Sequence, residues 1–360
     1  MSSFRSFNPA LSKIFLGPLP KFQYNFKHLA KPQQCQEIID KLDLKSKYPN
    51  SANLDIIDIF SGFGLFSTMV NYELKPRNHV IIENTKVNVG HWKERISHLQ
   101  ETTNNKENFH LYAKDGYKWE TFDDLIQKDK IVQPSYVPRD KVHDELLIIG
   151  NVTPSKFGES LLAQWIMCCI YKNWLQKYGR VRMLCFTPDV TAMKFMSGSS
   201  FHKRNKSAIK RELYTESKLV AISEPEDFTE ADGSGYDPRL IMKDQPIPLT
   251  SRSILPSNGQ LALLEIVPKD ISAEKYDMYE YVIRSIYFNA SQKIKDSLSN
   301  IGPGAMEDLS VKLSSSILEK SARELSIDDW SEIFNVYEAW PFKPSLVDTM
   351  DIVQDDVRGF

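Results

Sequence analysis

The chain has 360 residues, 41% of them hydrophobic and 26% charged, with four cysteines and a formal net charge of −2. This composition is typical of a folded protein of about two domains, and it excludes a chain that is disordered throughout. The near-zero net charge excludes a global attraction to nucleic acid or membranes, so any polyanion must be bound by a locally basic segment.

The N-terminal stretch is basic. Its first acidic residue is Glu37, and the cations before it are Arg5, Lys13, Lys21, Lys27 and Lys31, among serines and aromatic residues. Such a composition is typical of mitochondrial targeting segments, and the alternative is a short basic terminus with no destination. No apolar stretch has the length of a bilayer span, so we expect no membrane contact.

From Leu54 onward, short apolar strands alternate with helices. The predicted strands are Leu54 to Ile59, His79 to Glu83, Phe109 to Ala113, Glu145 to Gly150 and Val181 to Phe186. Helices are predicted after the first, second and fourth strands, at Leu65 to Tyr72, Lys86 to Leu99 and Glu159 to Trp174. This rhythm predicts an α/β fold with a doubly wound, Rossmann-like parallel sheet.

Two further strands, Lys218 to Ser223 and Leu261 to Val267, are predicted to form a last, antiparallel pair. Between them, residues 224–244 hold seven acidic residues against two basic ones. We expect residues 224–259 to be a surface insertion, and we place the end of the first domain, residues 1–268, near Pro268.

Residues 269–344 carry only helical patterns and predict a small all-helical domain with an aromatic core. Trp340-Pro-Phe-Lys-Pro344 ends its last helix, because proline cannot continue a helix. Residues 345–360 then predict a flexible tail, in which Leu346, Val347 and other apolar residues are mixed with four aspartates.

Polar and small residues follow successive strands at the edge where doubly wound sheets bind ligands. Gly62 and Gly64 form an elbow in the stretch IIDIFSGFG, residues 56–64. Glu83 ends the second strand, at the spacing where an acid binds ribose hydroxyls, and Asp115 and Asn151 follow the third and fourth strands. Each alone is typical of a turn or a helix cap, but together they predict a nucleotide-like cofactor site.

With Phe22-Gln-Tyr-Asn-Phe26 before the first strand, these motifs resemble the ribosomal RNA adenine dimethyltransferases in order and spacing. The resemblance covers about residues 22–267 and the small helical domain. It implies a class I methyltransferase-like fold and a pocket of the S-adenosylmethionine type. The pocket residues that it implies are Tyr24, Asn25, Asp58, Gly62, Gly64, Glu83, Asp115 and Asn151.

Within that family the chain is most similar to the fungal mitochondrial transcription factor B proteins. The matching stretches are Gly150-Asn-Val-Thr153, Asp115-Gly-Tyr-Lys-Trp119, Lys172-Asn-Trp174 and Trp340-Pro-Phe-Lys-Pro344. This resemblance implies a mitochondrial factor, monomeric before it joins the single-subunit mitochondrial RNA polymerase, that helps to melt promoter DNA and stabilises the open complex.

The chain departs from the enzyme pattern at three places. Phe60 replaces a glycine of the elbow, where a side chain crowds the methionine part of the cofactor. The catalytic loop reads Asn151-Val-Thr-Pro154, without the aromatic ring that stacks on the target base, and Tyr24 replaces a glutamine. We therefore predict no catalytic residue and no required cofactor, with S-adenosylmethionine binding left as an open alternative.

A factor that opens DNA needs cations for phosphates and aromatic rings for unpaired bases. From Lys177 to Lys218 the chain holds ten basic residues against three acidic ones. The predicted DNA-binding residues are Tyr117, Trp119, Lys194, Lys203, Arg204, Lys206, Lys210 and Arg211. The alternative is that the cations lie on a solvated helix face and that Trp119 packs under the next helix.

The sequence leaves two alternatives to an initiation factor. An active RNA adenine dimethyltransferase is opposed by the altered loop, and a titration with S-adenosylmethionine distinguishes it from an initiation factor. A structural protein without a nucleic-acid role is opposed by the ten basic residues between Lys177 and Lys218. The four cysteines show neither a CxxC pair nor a spacing with histidines, so we predict no metal site.

Overall fold

The computed structural model of the protein describes residues 4–17, 26–104, 107–154, 157–224, 235–256, 260–272 and 274–345. The chain forms two compact units, one from residues 1–192 and 215–270 and one from residues 193–214 and 271–360. The predicted boundary near Pro268 lies two residues from the second division. Residues 193–214, however, belong to the helical unit, because Ile209 is part of its hydrophobic core.

The strands of the first unit are β1 (His28–Leu29), β2 (Asp55–Ile59), β3 (Asn78–Ile82), β4 (Phe109–Tyr112), β5 (Val142–Asn151), β6 (Arg180–Thr187), β7 (Thr215–Ser223), β8 (Ile247–Leu249), β9 (Ile254–Leu255) and β10 (Ala262–Pro268). Within the described residues, eight strands form one sheet in the order β4-β3-β2-β5-β6-β10-β7-β8. The strands β2 to β6 pair in parallel, whereas β10 is antiparallel to both β6 and β7. The predicted parallel sheet with a last antiparallel pair is therefore confirmed.

The central strand β2 is buried along its whole length, as is typical of parallel strands covered by helices on both faces. Its buried Asp55 receives two hydrogen bonds from the guanidinium of Arg77, at 2.9 and 2.7 Å. The pairing explains how a carboxylate is tolerated at the start of an apolar strand.

The expected surface insertion is in part a component of the core. The edge strand β8 pairs in parallel with β7, and β9 forms a two-stranded antiparallel ribbon with β1. Leu240, Leu249 and Ile254 are buried. The interpretation of residues 235–256 as a surface insertion was wrong, because the prolines and polar residues of this stretch interrupt its apolar pattern and conceal these contacts. Residues 225–234 and 257–259 lie outside the described residues.

The α-helices are α1 (Ser12–Phe15), α2 (Pro32–Leu42), α3 (Leu44–Lys47), α4 (Leu65–Leu74), α5 (Lys86–Thr103), α6 (Trp119–Asp123), α7 (Gly158–Tyr171), α8 (Asp189–Met196), α9 (Lys206–Tyr214), α10 (Pro238–Asp244), α11 (Tyr276–Ile286), α12 (Ile294–Ser297), α13 (Ala305–Ser310), α14 (Ser315–Leu318) and α15 (Ile327–Glu338). In the described part of the chain, no helix is long and apolar enough to cross a membrane.

The second unit has the aromatic core that the sequence predicts, with Trp330, Phe334 and Trp340 buried. The indole N–H of Trp340 donates to Asp308 at 2.8 Å. The helix α15 begins with the capping box of Ser326 and Asp329, in which each side chain accepts a hydrogen bond from the other residue's backbone N–H. Of the predicted tail, residues 346–360 lie outside the described residues.

Candidate cofactor pocket and nucleic-acid interface

The elbow after β2 has three residues in the left-handed region, with φ values of +60° at Phe60, +54° at Gly62 and +73° at Gly64. The two glycines adopt this conformation without strain, whereas Phe60 adopts it against the preference of its Cβ atom. At Gly62 a Cβ atom would lie 2.0 Å from the imidazole of His28. The backbone therefore turns as in a cofactor-binding elbow, but a histidine ring lies directly against it.

Glu83 is buried and bonded to the elbow. Its Oε1 accepts a hydrogen bond from the Gly62 N–H at 2.7 Å, and both carboxyl oxygens lie within 3.3 Å of the Asn88 side-chain nitrogen. Burial raises the pKa of Glu83 to about 7, and the hydrogen bonds from Gly62 and Asn88 oppose that rise. The Glu83 carboxyl therefore stabilises the elbow through its bond to Gly62, and it is held in place by Asn88.

Asn151, at the end of β5, is engaged by the chain on both sides of its amide. Its Nδ2 donates to the Lys27 carbonyl at 2.9 Å, and its Oδ1 accepts from the Thr153 hydroxyl at 2.6 Å. The same hydroxyl accepts a hydrogen bond from the Lys27 N–H at 3.0 Å. The loop of residues 151–154 therefore anchors the segment around Lys27.

Asp115 caps a turn. Its Oδ1 accepts a hydrogen bond from the Tyr117 N–H at 3.0 Å, and its carbonyl accepts from the Thr121 hydroxyl at 2.6 Å. This is the Asx-turn geometry that aspartate adopts between a strand and a helix. The predicted acid lies at the expected strand end, with one oxygen used locally.

Asp58 lies buried in β2, with Oδ2 at 3.3 Å from His79 Nε2. Among the described residues, its Oδ1 and the hydroxyl of Ser61 have no hydrogen-bond partner. Both residues line a cavity of about 20 Å³ that also touches Gly64 and Asn151. A cavity of this volume has room for about one water molecule.

The Phe60 ring fills the space beside the elbow and is only 2% exposed. A Cβ atom at Gly116 would lie 3.1 Å from the tip of this ring. The ring centroid lies 4.7 Å from that of Tyr117 and 5.8 Å from that of Phe26. Phe60 is therefore a packed residue at the centre of an aromatic cluster, which also contains His28 stacked on Phe26.

The predicted stacking residues differ in setting. Tyr117 is half-buried against Phe60, whereas Trp119 is the first residue of α6 and is 46% exposed. Their spacing of two residues would place both rings on one side of an extended segment, but Tyr117 lies in a turn and Trp119 begins a helix. The alternative that Trp119 packs under a helix is contradicted by its exposure.

Two arginines of the basic segment, residues 177–218, are not available to phosphates. Arg204 is buried and donates to Glu212 and to the carbonyls of Ser197 and Leu325. Arg211 is buried and donates to the carbonyls of Phe195 and Met196. The prediction that these two arginines contact DNA was wrong, because both guanidinium groups are buried and bonded to groups inside the protein.

Of the predicted lysines, Lys210 forms an ion pair with Glu280 at 2.6 Å. Lys194, Lys203 and Lys206 are partly exposed. Sequence composition gives the number of cations in a segment but not their partners. It therefore predicts DNA contacts for buried and exposed cations alike.

Two predicted pocket residues, Tyr24 and Asn25, lie outside the described residues. The cysteines are all free and buried, and burial raises the pKa of the Cys168 thiol to about 12. Among the described residues, no group of three or more histidine, cysteine, aspartate or glutamate side chains is placed to hold a metal ion.

Residues 19–339 match the sequence profile of the ribosomal RNA adenine dimethylase family. The chain belongs to that family. The structure agrees with the assignment: a dimethyladenosine transferase from Plasmodium falciparum superposes over 86% of this chain and 97% of its own, with a TM-score of 0.54 at 13% identity. The 23S rRNA methyltransferase ErmE superposes over 86% and 99%, with a TM-score of 0.51 at 12% identity. The methyltransferase-like fold implied by the resemblance is thus confirmed.

Proteins with a higher sequence identity to this chain have a different name. Mitochondrial transcription factor 1 of Saccharomyces paradoxus is 30% identical over 345 residues, which cover 94% of this chain and 96% of that protein. Mitochondrial transcription factor 1 of Saccharomyces cerevisiae is 29% identical over the same shares. The protein of that name in Lachancea kluyveri is 28% identical over 93% of this chain.

One aromatic residue of the site was missed by sequence reasoning. Phe157, three residues after Pro154, is 52% exposed, and its ring centroid lies 6.0 Å from that of Tyr117. The family motif has its aromatic residue directly after the proline, so an aromatic residue three positions after Pro154 does not match the motif spacing and was not recognised.

Proposed function

We propose that the protein is a non-catalytic mitochondrial transcription initiation factor. In this role it joins the single-subunit mitochondrial RNA polymerase, helps to melt promoter DNA and stabilises the open complex. The proposal is supported by 29–30% identity, over 94% of this chain, to proteins named mitochondrial transcription factor 1. The same names support a location in mitochondria.

The observation that carries the non-catalytic part of the proposal is the placement of Phe60. A glycine at this point of the elbow leaves space for the cofactor, whereas here a buried ring lies between Tyr117 and Phe26. Small-molecule sites usually enclose some hundreds of cubic ångströms, against about 20 Å³ in the cavity beside the elbow. The described residues do not fit S-adenosylmethionine, and we derive no reaction through it.

The loop after β5 supports the same conclusion. Methylation of an adenine amine needs an acceptor that holds the amine in place. The Asn151 oxygen already accepts from the Thr153 hydroxyl at 2.6 Å, and its nitrogen donates to Lys27. The same oxygen also accepts from the Thr153 N–H at 3.2 Å, so both of its lone pairs are used, and an adenine amine could bond there only if one of these two contacts broke.

The binding of melted DNA is assigned to exposed rings and lysines. Trp119 is half-exposed at the start of α6, and an aromatic face of this kind stacks on unpaired bases of any sequence. Once Arg204 and Arg211 are excluded and Lys210 is found in an ion pair, the predicted phosphate contacts that remain are the partly exposed Lys194, Lys203 and Lys206.

The proposal is tested by run-off transcription from linear promoter DNA with the cognate polymerase, with and without the protein. We expect promoter-specific transcripts only when the protein is present. Trp119→Ala should lower initiation on closed duplex far more than on a template with a pre-melted bubble, because only the duplex requires stacking energy to offset unpairing.

Tyr136→Ala is the matched control, because Tyr136 is 73% exposed and packs on Tyr178 instead. It should initiate as the unmodified chain does. Equal defects of Trp119→Ala on both templates would refute the stacking role, and transfer of labelled methyl groups to rRNA would refute the non-catalytic assignment.

A further inference from the structure

The first two small-residue positions of a nucleotide-binding elbow have separate tasks. The first glycine allows the tight turn after the strand, and the second, two positions later, lets the backbone approach the ligand closely. In this chain Phe60 stands at the first position and Gly62 at the second. Whether a ligand can reach the elbow therefore depends also on what lies against Gly62.

The imidazole of His28 lies directly over Gly62. A Cβ atom at Gly62 would lie 2.0 Å from the His28 Cε1 atom and within 2.8 Å of both ring nitrogens. The His28 residue is buried, and it lines the small cavity beside the elbow. The close approach that glycine permits at position 62 is therefore used by a side chain of the same protein.

Several contacts hold the His28 ring in this position. Its backbone belongs to β1, where His28 is paired with Leu255 of β9. Its Nδ1 lies 3.2 Å from the Asn151 side-chain nitrogen, and its ring is parallel to that of Phe26 within 7°. Burial, together with the charge of Arg95, lowers the pKa of His28 to about 4. The imidazole is therefore neutral near pH 7, and its Nδ1 can accept the hydrogen bond from Asn151.

Phe60 and His28 obstruct different parts of the pocket. Phe26 packs on both, with its ring centroid 5.8 Å from that of Phe60 and 6.1 Å from that of His28. The Phe60 ring fills the side toward Gly116, where a Cβ atom would lie 3.1 Å from it. His28 covers the side of Gly62. Removal of the Phe60 ring alone would thus leave the imidazole against the elbow.

We propose that His28 is a second residue that excludes S-adenosylmethionine, and that its imidazole takes the place of the ligand at Gly62. A buried histidine with a hydrogen-bond partner is by itself ordinary; its position on the second glycine of the elbow is what distinguishes this one. The inference rests on the proposed non-catalytic function and extends it, because a glycine restored at position 60 does not by itself reopen the pocket.

The test is isothermal titration of the full chain with S-adenosylmethionine. It compares the native chain, Phe60→Gly, His28→Ala and the double variant Phe60→Gly/His28→Ala. We expect each single variant to bind weakly and the double variant to bind at least about tenfold more tightly than either one, because two residues that obstruct the same ligand are coupled.

His143 provides the matched control. It is also a buried histidine, 1% exposed, with its Nε2 3.0 Å from the Ser135 carbonyl oxygen. It lies near the start of β5, at the end of the strand opposite to Asn151. The variant Phe60→Gly/His143→Ala should therefore bind S-adenosylmethionine no more tightly than Phe60→Gly alone.

Thermal unfolding shows which variants are folded. If the double variant with alanine is not, Phe60→Gly/His28→Val replaces it, because valine keeps a β-branched side chain in β1. If that variant is also unfolded, His28→Ala alone decides, and it should bind more tightly than the native chain.

The role of His28 is overturned if Phe60→Gly binds as tightly as the folded double variant, or if His28→Ala, where it decides, binds no more tightly than the native chain. A native chain that binds as tightly as the double variant overturns the exclusion by both rings. The initiation function is tested separately, by run-off transcription with the native chain. An absence of promoter-specific transcripts there overturns that function and leaves the binding comparison unaffected.

Discussion

The left-handed conformation of Phe60 predicts an unusual order of stabilities. At φ +60°, a residue with a Cβ atom is strained by about 1–2 kcal/mol relative to glycine. Glycine loses about 0.5–1 kcal/mol through its larger freedom in the unfolded chain. Phe60→Gly should therefore be more stable than Phe60→Ala, by up to about 1 kcal/mol.

Both variants should be less stable than the native chain. The Phe60 ring is 2% exposed and contacts two other rings, and the loss of a buried phenylalanine side chain costs about 3–5 kcal/mol. Relief of backbone strain in Phe60→Gly reduces that cost to about 2–4 kcal/mol. The free energies of unfolding are measured by urea denaturation.

Phe63 provides the matched control, because it is also a buried ring of the elbow, at 4% exposure, but has no positive φ. There alanine should be more stable than glycine, by about 0.5–1 kcal/mol. If alanine is more stable than glycine at position 60 as well, the reasoning from backbone conformation is refuted. In calorimetric titration, Phe60→Gly should bind S-adenosylmethionine more tightly than Phe63→Gly does.

Further predictions concern charged groups and the tail. Arg204→Ala should lower the free energy of unfolding by about 2–4 kcal/mol, because it removes buried hydrogen bonds. Lys206→Ala should change that free energy by less than about 0.5 kcal/mol and lower the log–log salt slope of DNA binding by nearly one unit. A larger loss of stability with Lys206→Ala than with Arg204→Ala would show that Arg204 is a surface cation. Because burial raises the pKa of Glu83 to about 7 from an ordinary value of 4.5, the stability it supplies is complete below that ordinary value and is lost as the pH rises through 7. Urea denaturation across this pH window should show the loss of stability in the native chain. Glu83→Gln keeps an acceptor for the Gly62 N–H but cannot titrate, so its stability should not show this pH dependence. The same pH dependence in the native chain and in Glu83→Gln would contradict the buried setting of the Glu83 carboxyl. Deletion of residues 345–360 should leave the fold and most polymerase binding intact but lower the yield of first short transcripts, and a truncated chain that initiates normally would exclude a role for the tail.

Much of the fold was predictable because the parallel strands are apolar and bounded by turn residues. β2, β3 and β4 lie within one or two residues of their predicted positions. The strand β8 escaped prediction because it has only three residues, one of them Pro248, and directly follows an acidic stretch. Alternation over so short a run carries no signal, and its pairing with β7 is a long-range contact that local pattern does not record.

The candidate site was predictable at the backbone level and less so for side chains. Gly62, Glu83, Asp115 and Asn151 lie at the strand ends where the sequence pattern places them. Their hydrogen-bond partners were not predictable, because Lys27 and Asn151 are more than a hundred residues apart. For the same reason, Arg204 read as a surface cation until its bond to the carbonyl of Leu325 was seen.

The place of β10 between β6 and β7 determines when the sheet can be completed. β6 ends at Thr187 and β10 begins at Ala262, so about 75 further residues must emerge from the ribosome before the open edge of β6 finds its partner. At roughly 5–20 residues per second, synthesis of that stretch takes about 4–15 s. During this interval β6 presents an unpaired, apolar edge, the kind of surface on which chains aggregate. We therefore expect nascent or truncated chains that end before residue 268 to depend on chaperones, whereas the finished chain does not.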